Sequence, residues 1–317
     1  LMTAIRADQL NGKVSALRQK WEIEEAIKSV FVGGLHEKWQ FPSDHVPVGI
    51  SLKKNKKQIN IMTWNILNNC FMPHWVYKVN SQGLKRSLIT ELDRAISKDF
   101  QLTERDMYIV NLIVESINNP FQEKDFICLQ ECSKEFLMEM KTKLPKNYSI
   151  IFSREPLAKD QEAIIYRSDK FSILSNFSKC ISPDFEHRVI MDVIFQSKGI
   201  NIRLINAHLP FTHNVLPRSQ LIHYLFDVRN SADFVIIAGD MNCTELDLKN
   251  EVKNNFSDNT CLIISPYPTV VYPKLDGNLL RTVVLDHFLI LGDSYDQEVI
   301  PIDKLVSSSL EALNLLR

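Results

Sequence analysis

Short apolar runs rich in β-branched residues recur along this chain, and many are separated by stretches whose apolar residues have helical spacing. Short β-branched runs are typical of buried strands, and this alternation constrains the fold more than any other feature. The runs predict strands over Val46–Leu52, Ile59–Trp64, Phe126–Leu129, Ser149–Phe152, Ala163–Tyr166, Arg188–Phe195, Ile202–Ala207, Phe234–Ala238 and Val283–Ile290.

Four stretches between the strands have helical spacing, at Gly83–Ser97, Glu104–Ile117, Lys134–Lys143 and Pro217–Asn230. Many strands with helices between and outside them predict an α/β sandwich of two packed sheets. A further helical pattern occupies residues 1–40. We expect this segment to pack on a single domain formed by residues 41–317.

The charge balance of the chain limits how it could bind nucleic acid. Lys and Arg number 37 against 38 Asp and Glu, so net charge provides no attraction for nucleic acid, and a nucleic-acid partner requires a local basic patch. The densest basic run, Lys53–Gln58, is interpreted as an exposed hairpin tip, with phosphate contact as the alternative.

Targeting signals and paired cysteines are lacking in the sequence. No apolar run has membrane-spanning length, and the N-terminus has no signal-peptide pattern, so we expect a soluble intracellular, cytoplasmic protein. The 6 cysteines form no Cys-x-x-Cys pair, which favours reduced, buried thiols over disulfides or zinc.

Four predicted strands deliver polar groups at their C-terminal ends: INIMTWNI with Asn65, DFICLQE with Glu131, IRLINAHLP with His208, and FVIIAGDMN with Asp240 and Asn242. Two further segments, VVLDHFLIL and SDHVPV, contain Asp286, His287, Asp44 and His45. Any one of these segments is weak evidence, since a carboxylate after a strand often only caps a helix. Together they provide carboxylates, carboxamides and imidazoles for one site.

Hydrolysis of a phosphate ester requires this set of groups. A hard divalent cation binds carboxylate and carboxamide oxygens, a second carboxylate can deprotonate water, and a histidine can donate hydrogen bonds to developing charge. Neither Gly-x-Ser-x-Gly nor Gly-x-x-x-x-Gly-Lys occurs in the sequence, so no serine nucleophile elbow or phosphate-binding loop competes with this interpretation.

The Trp-Asn, Leu-Gln-Glu, His-Leu, Gly-Asp-Met-Asn and Ser-Asp-His-x-Pro-Val motifs resemble those of the endonuclease/exonuclease/phosphatase superfamily of Mg²⁺-dependent phosphoesterases. The match runs from about Phe41 to about Leu291. The resemblance implies a four-layer α/β sandwich, with two mixed sheets flanked by helices. It also implies Mg²⁺ as the cofactor, with Mn²⁺ as an alternative.

The resemblance also implies roles for single residues. Glu131 is expected to be the principal Mg²⁺ ligand, with Asn65 near the metal and the phosphate, and Asp44 beside the metal or a second cation. Asp240 is expected to orient and deprotonate the attacking water, assisted by Asn242.

The phosphate side is expected to be built from histidines and amides. His45 resembles the phosphate-contacting histidine, Asp286 its orienting carboxylate and His208 the other phosphate-side histidine. Asn68 and Arg218 are further candidates for substrate binding. His287 is next to Asp286 in a predicted strand, so it should face the opposite side and be structural.

The order of the motifs differs from that in the superfamily, where Ser-Asp-His comes last; here it precedes Trp-Asn. If the first and last strands are antiparallel neighbours, a short loop at Lys53–Gln58 joins them, and the chain is a circular permutation. The alternative is a chance Ser-Asp-His in an N-terminal extension. Permutation is favoured, since no second Ser-Asp-His follows Asp286.

The function predicted from the residues and the resemblance is Mg²⁺-dependent hydrolysis of phosphodiesters, with RNA or DNA as the expected substrate. The segment between Asn65 and Glu131 is long, and in this it resembles the deadenylase-like branch of the superfamily. The alternatives are a phosphatase acting on inositol phosphates or lipid headgroups, and a non-catalytic binding module on the same fold. Oligomeric state is not predicted.

Overall fold

The computed structural model describes residues 43, 45, 47–54, 57–68, 104–118, 123–153, 161–180, 189–210, 216–255, 261–264, 270–273 and 280–291. The predictions for residues 1–40, for a helix at Gly83–Ser97 and for Asp44 lie outside these residues. The described strands are β1 Val48–Lys54, β2 Lys57–Asn65, β3 Phe126–Cys132, β4 Tyr148–Phe152, β5 Gln161–Arg167, β6 Ser172–Cys180, β7 Val189–Ser197, β8 Ile200–His208, β9 Phe234–Asp240, β10 Cys261–Ile264, β11 Val270–Pro273, β12 Leu280–Val283 and β13 Asp286–Leu291. The described helices are α1 Glu104–Asn118, α2 Lys134–Lys143, α3 Leu216–Asp227 and α4 Glu245–Asn255.

Two mixed sheets are formed by eleven of these strands. The five-stranded sheet has the order β1-β2-β3-β5-β4, and the six-stranded sheet has the order β10-β13-β9-β8-β7-β6. Within them β2 and β3 are parallel, as are β8 and β9, and the other pairs are antiparallel. Strands β11 and β12 form a separate two-stranded ribbon.

Alternation of side chains along the strands divides the buried residues into three layers. One face of each sheet contributes to a shared core in which Ile61 and Cys128 meet Leu204 and Ile236. The outer face of the five-stranded sheet packs against α1 and α2, and the outer face of the six-stranded sheet packs against α3 and α4. The predicted four-layer α/β sandwich is confirmed.

Strands β1 and β2 are antiparallel neighbours, as predicted for the segments on either side of the basic run. Val48 pairs with Thr63 at one end and Lys54 with Lys57 at the other, so only residues 55 and 56 intervene. The pairing also brings His45, just before β1, to the end of β2, where the Trp64 indole N–H donates to the His45 carbonyl at 2.9 Å. The hairpin is what the permutation requires, while the permutation itself stays a prediction.

Several elements were not predicted, and one prediction was wrong. Strand β6 is rich in Ser, Asn and Lys and lies at a sheet edge, and α4 has few apolar residues, so neither has a clear apolar pattern. Strands β10 and β11 are only 4 residues each. The single strand predicted over Val283–Ile290 is two strands, β12 and β13, which lie in different sheets.

In the part of the chain that the structure describes, no helix is both long and apolar enough to cross a membrane.

Candidate active site

The shared core changes from apolar to polar along each strand toward one end of the sandwich. On β8 the inward-facing residues are Ile202 and Leu204, then Asn206 and His208. The same change occurs on β9, where Ala238 is followed at the strand end by Asp240. Because β8 and β9 are parallel and in register, their polar ends coincide, and His208 pairs with Asp240.

Asp286 joins this cluster from the antiparallel neighbour of β9. Its backbone pairs with that of Asp240, so the first residue of β13 lies beside the last residue of β9. Asp240, Asp286 and His208 are all at most 1% exposed. Register and alternation alone place these three side chains together.

His45 reaches the cluster from the start of the β1–β2 hairpin. Its Nδ1 lies 2.8 Å from Asp286 Oδ2, and its Nε2 lies 3.6 Å from Asp240 Oδ2. A carboxylate accepts, so Nδ1–H donates to Asp286 and the Nε2 side of the ring faces Asp240. The Ser43 hydroxyl accepts from the His45 backbone N–H at 3.1 Å and donates to the Asn65 carbonyl at 2.8 Å, which fixes the loop to β2.

Asn65 connects the two sheets at the site. Its Nδ2 donates to Asp240 Oδ2 at 3.0 Å and to Glu131 Oε1 at 3.2 Å. Its Oδ1 accepts from the backbone N–H of Leu67 at 2.9 Å, which fixes the amide orientation. Asn65 therefore contacts one carboxylate from each sheet, Glu131 and Asp240.

Glu131 enters the site through a β-bulge. Simple alternation would turn it outward, as it does Leu129, but the pairing of β3 with β5 shifts register between Leu129 and Cys132. Glu131 has φ +59°, and its carboxylate accepts from the Asn68 backbone N–H at 3.1 Å and lies 3.6 Å from His208 Nε2. It is 7% exposed, more than Asp240 or Asp286.

Asn242 holds Asp240 from the loop that follows β9. Its backbone N–H donates to Asp240 Oδ1 at 2.9 Å, and its Nδ2 donates to the Leu209 carbonyl at 2.7 Å and to Asp240 Oδ2 at 3.3 Å. Its φ of +46° lies in the left-handed region, which Asn adopts more readily than most residues. Asp240 thus accepts from two amide side chains and one backbone N–H.

Burial raises the pKa of Asp240 to about 6. The charge of His45 lowers this pKa, the neighbouring Asp286 carboxylate raises it, and hydrogen bonds from Asn65 and Asn242 lower it. A carboxyl group with a pKa in this range can accept a proton near neutral pH.

The donor atoms fit a hard divalent cation. Glu131, Asp240 and Asp286 contribute three carboxylates, which lie close to the Asn65 amide and two imidazoles. Carboxylate oxygens are ligands that Mg²⁺ prefers. The negative charge that raises the Asp240 pKa would be relieved by a cation. A second donor set, His45, Asp240 and Asp286, has atoms within 4.8 Å of one another. Carboxylate oxygen is a harder ligand than imidazole nitrogen, so Glu131 suits Mg²⁺ better, while Asn65 presents Nδ2 rather than Oδ1 to that carboxylate.

The structure brings together seven residues predicted for the site, namely His45, Asn65, Glu131, His208, Asp240, Asn242 and Asp286. Asn68 lies beside Glu131 through its backbone N–H. Arg218 lies near the start of α3, with its Nη1 3.8 Å from Asp247 Oδ2 of α4. A contact between Arg218 and substrate stays a prediction. Metal and catalytic roles for all of these residues stay predictions.

His287 faces away from Asp286, as predicted, and its structural role stays a prediction. It is fully buried, and its Nε2–H donates to the Cys243 carbonyl at 2.8 Å. Burial lowers its pKa. It therefore lies on the opposite face of β13 from Asp286, beside the loop before α4.

Sequence reasoning missed Ser43, Thr63, Gln130 and Asn206, which support the site. Thr63, Gln130 and Asn206 each precede a site residue by one or two positions, on strands whose earlier inward residues are apolar. Alternation counted back from Asn65 and His208 identifies Thr63 and Asn206 as inward-facing polar residues.

No family model and no curated protein matches this chain. Solved structures do match. Humanized D. rerio TDP2 is 15% identical with a TM-score of 0.46, over 74% of this chain and 83% of that one. ANGEL2, a 2',3'-cyclic phosphatase, is 13% identical with a TM-score of 0.49, over 79% and 84%. An endonuclease/exonuclease/phosphatase from Bacteroides vulgatus is 16% identical with a TM-score of 0.46, over 58% and 79%.

Proposed function

We propose that this protein is a Mg²⁺-dependent phosphodiesterase that acts on RNA or DNA. The observation that supports this most directly is the cluster around Asp240. Its Oδ2 lies 3.6 Å from His45 Nε2 and accepts a hydrogen bond from Asn65 Nδ2 at 3.0 Å. A binding module on the same fold has no need for three buried carboxylates beside two imidazoles, since burying charges costs free energy.

Asp240 is the proposed base. Its carboxylate is held by Asn65 and Asn242, so its orientation is fixed before substrate arrives. The raised pKa, about 6, makes it a better proton acceptor than an exposed aspartate while leaving it ionised at neutral pH. In this role it orients a water molecule toward the phosphorus atom and takes its proton.

His45 is the proposed contact to the phosphate. The hydrogen bond from Nδ1 to Asp286 orients the ring, and Nε2 faces the side on which Asp240 lies. Protonated on both nitrogens, this imidazole donates from Nε2 to a phosphate oxygen, and buried Asp286 stabilises its positive charge. His208, 3.5 Å from Asp240 and 3.6 Å from Glu131, is the proposed second donor.

Glu131 is the residue proposed to hold the cation, with Asn65 beside it and Asp44 as a further candidate. A bound Mg²⁺ would neutralise phosphate charge and stabilise the leaving oxygen. Asn65 Nδ2 hydrogen-bonds both Glu131 and Asp240, so the proposed metal-binding and proton-accepting groups have a fixed relation to each other.

The circular permutation is part of the proposal. In the superfamily that the motifs resemble, the histidine corresponding to His45 lies near the end of the chain. Here the β1–β2 hairpin delivers His45 to Asp286, 241 residues later in the sequence. The position of His45 in the cluster supports the permutation over a chance Ser-Asp-His.

The test is metal-dependent hydrolysis by the full chain. Wild type, Asp240→Asn and His45→Gln would be assayed with Mg²⁺ and with chelator on oligo(A) RNA, single- and double-stranded DNA, a phosphoinositide and a generic phosphodiester. We expect cleavage of a nucleic acid that requires Mg²⁺. Activity should fall at least about 10³-fold in Asp240→Asn and about 10²-fold or more in His45→Gln.

His287→Gln is the matched control, because His287 is buried like His45 but lies on the opposite face of β13, where its ring contacts the Cys243 carbonyl. It should lower stability and leave the turnover of the folded fraction within about threefold of wild type. Full activity in His45→Gln would contradict the permutation. A wild type that cleaves nothing on the panel would contradict the proposed function, and cleavage of the phosphoinositide alone would favour the phosphatase alternative.

A further inference from the structure

A second polar layer joins the two sheets directly beneath the site. Gln130 of β3 donates from Nε2 to Thr63 Oγ1 at 2.9 Å, within its own sheet, and to Asn206 Oδ1 at 2.7 Å, across to the six-stranded sheet. All three side chains are fully buried. Immediately below them the shared core is apolar, with Ile61, Cys128 and Leu204 at the preceding inward positions.

Asn206 also contacts the bulge that turns Glu131 into the site. Its Nδ2 donates to the carbonyls of Leu129 and Ala163, each at 2.9 Å. Leu129 and Ala163 are the last regular pair of β3 and β5 before the register shift. A side chain from the six-stranded sheet therefore holds β3 and β5 together at the point where the bulge begins.

The position of this layer in the sequence links it to both halves of the site. Gln130 is followed directly by Glu131, and Asn206 is two residues before His208 on the same face of β8. A change in the distance between Gln130 and Asn206 would therefore change the distance of Glu131 from His208 and Asp240.

Stability alone does not explain a polar layer at this depth. Gln130 Oε1 is buried and has no hydrogen-bond partner within the described residues, an arrangement that opposes folding. Apolar side chains at positions 130 and 206 would join the two sheets without burying the Gln130 amide, although the Leu129 and Ala163 carbonyls would lose the Asn206 donor. Buried polar groups that oppose folding are expected where they serve function.

We propose that Gln130 and Asn206 form a positioning bridge that sets the location of Glu131 relative to Asp240 and so determines the affinity of the site for Mg²⁺. The bridge residues do not touch substrate or metal; they act through the bulge and through strand β8. This inference rests on the proposed function, in that it takes Glu131 as a metal ligand.

The test compares single and paired replacements in the full chain. Asn206→Leu should destabilise the protein, because Gln130 Nε2 and the carbonyls of Leu129 and Ala163 lose a partner. Adding Gln130→Met removes the Gln130 polar atoms as well, so part of the lost stability should return. A merely structural role predicts that Mg²⁺ affinity returns with it.

We expect stability and affinity to separate. In the double variant Gln130→Met/Asn206→Leu, the midpoint of thermal unfolding in chelator should return to within about 5 °C of wild type. Its dissociation constant for Mg²⁺, measured by calorimetry without substrate, should stay about 10- to 100-fold weaker, as is typical when a residue that orients a metal ligand is lost. Tyr224→Phe is the control for destabilisation away from the site, since the Tyr224 hydroxyl contacts Asp192 on the outer face of the six-stranded sheet.

Calorimetry separates failure of this inference from failure of the proposed function. If wild type binds Mg²⁺ but cleaves nothing on the panel, the proposed function is wrong while the bridge is still tested by affinity. If the double variant binds Mg²⁺ as wild type does, or if affinity merely follows unfolding temperature as in Tyr224→Phe, the bridge is overturned. A wild type with no Mg²⁺ affinity overturns it too.

Discussion

The two sheets contribute to the site in different ways. Asp240, His208 and Asp286 come from the six-stranded sheet, where each lies at the end of a regular strand and register alone brings them together. Glu131 comes from the five-stranded sheet, where a bulge and a φ of +59° redirect it. Leu67, two residues after the end of β2, also has a positive φ of 53°.

This difference indicates where backbone strain is tolerated for function. A left-handed conformation at a non-glycine residue costs about 1 kcal/mol or more, and persists where surrounding contacts hold it. The Glu131 carboxylate has such contacts from Asn65 and Asn68, and the bulge is held by Asn206. In the six-stranded half the left-handed residue is Asn242, in the loop after β9 with φ +46°, while the strands themselves require only that β8 and β9 keep their close pairing.

The largest expected effect comes from breaking that pairing at Gly239. Its φ is +150°, and a Cβ at this position would lie 1.9 Å from the Ala207 carbonyl oxygen, in the backbone of the neighbouring strand. Gly239→Ala therefore adds a backbone clash to a conformation that only glycine adopts freely. We expect a loss of at least about 3 kcal/mol in the free energy of unfolding, measured by urea denaturation.

Gly199→Ala is the matched control, because Gly199 also has a positive φ, +76°, but a Cβ there has no atom within 4 Å. It should cost only about 1 kcal/mol, the conformational part alone. Equal losses in the two variants would show that the close approach of β8 and β9 is not what constrains position 239.

A smaller effect is expected from the ionisation of Asp240. Its pKa is raised on folding, so the stability linked to its protonated form is fully present below the unfolded pKa, about 4, and is lost as pH rises through about 6. In chelator, wild type should therefore lose stability relative to Asp240→Asn between pH 4 and pH 7, by up to about 3 kcal/mol. Urea denaturation of both proteins across this range measures the difference, in which the titration of groups that do not interact with Asp240 cancels.

Mg²⁺ should reverse this trend, because it favours the ionised carboxylate. The rise in unfolding temperature on adding Mg²⁺ should be larger at pH 7.5 than at pH 5 in wild type, and this pH dependence should be much smaller in Asp240→Asn. A pH-independent stability difference between wild type and Asp240→Asn would contradict the raised pKa.

Side-chain alternation explains how much of the site the sequence could predict. His208 and Asp240 were recognisable as residues at strand ends, because nothing between the apolar run and the polar residue interrupts the period of two, whereas Asp286 was predicted inside a single strand over Val283–Ile290. Likewise, the pairing of β1 with β2 was predictable from their closeness in sequence.

The bulge at Glu131 was not predictable in this way. Alternation turns Glu131 outward, and only the resemblance to known motifs placed it in the site. The register shift depends on contacts to β5 and to Asn206, which are 30 or more residues away in sequence. The edge strand β6 and the polar helix α4 were missed for a related reason, since tertiary contacts rather than local patterns define them.

The smallest expected effect separates the roles of the two halves. Glu131→Gln keeps the shape of the side chain and its capacity to accept a hydrogen bond, but removes the charge proposed to bind Mg²⁺. The Mg²⁺ concentration for half-maximal activity should rise about 10- to 100-fold, equivalent to about 1.4 to 2.7 kcal/mol, and turnover should recover largely at saturating Mg²⁺. Asp240→Asn should show the opposite behaviour, with low turnover at any Mg²⁺ concentration, because the proposed base is absent. If excess Mg²⁺ restored Asp240→Asn and left Glu131→Gln inactive, the two carboxylates would have exchanged roles, and the regular half of the site would be the metal-binding half.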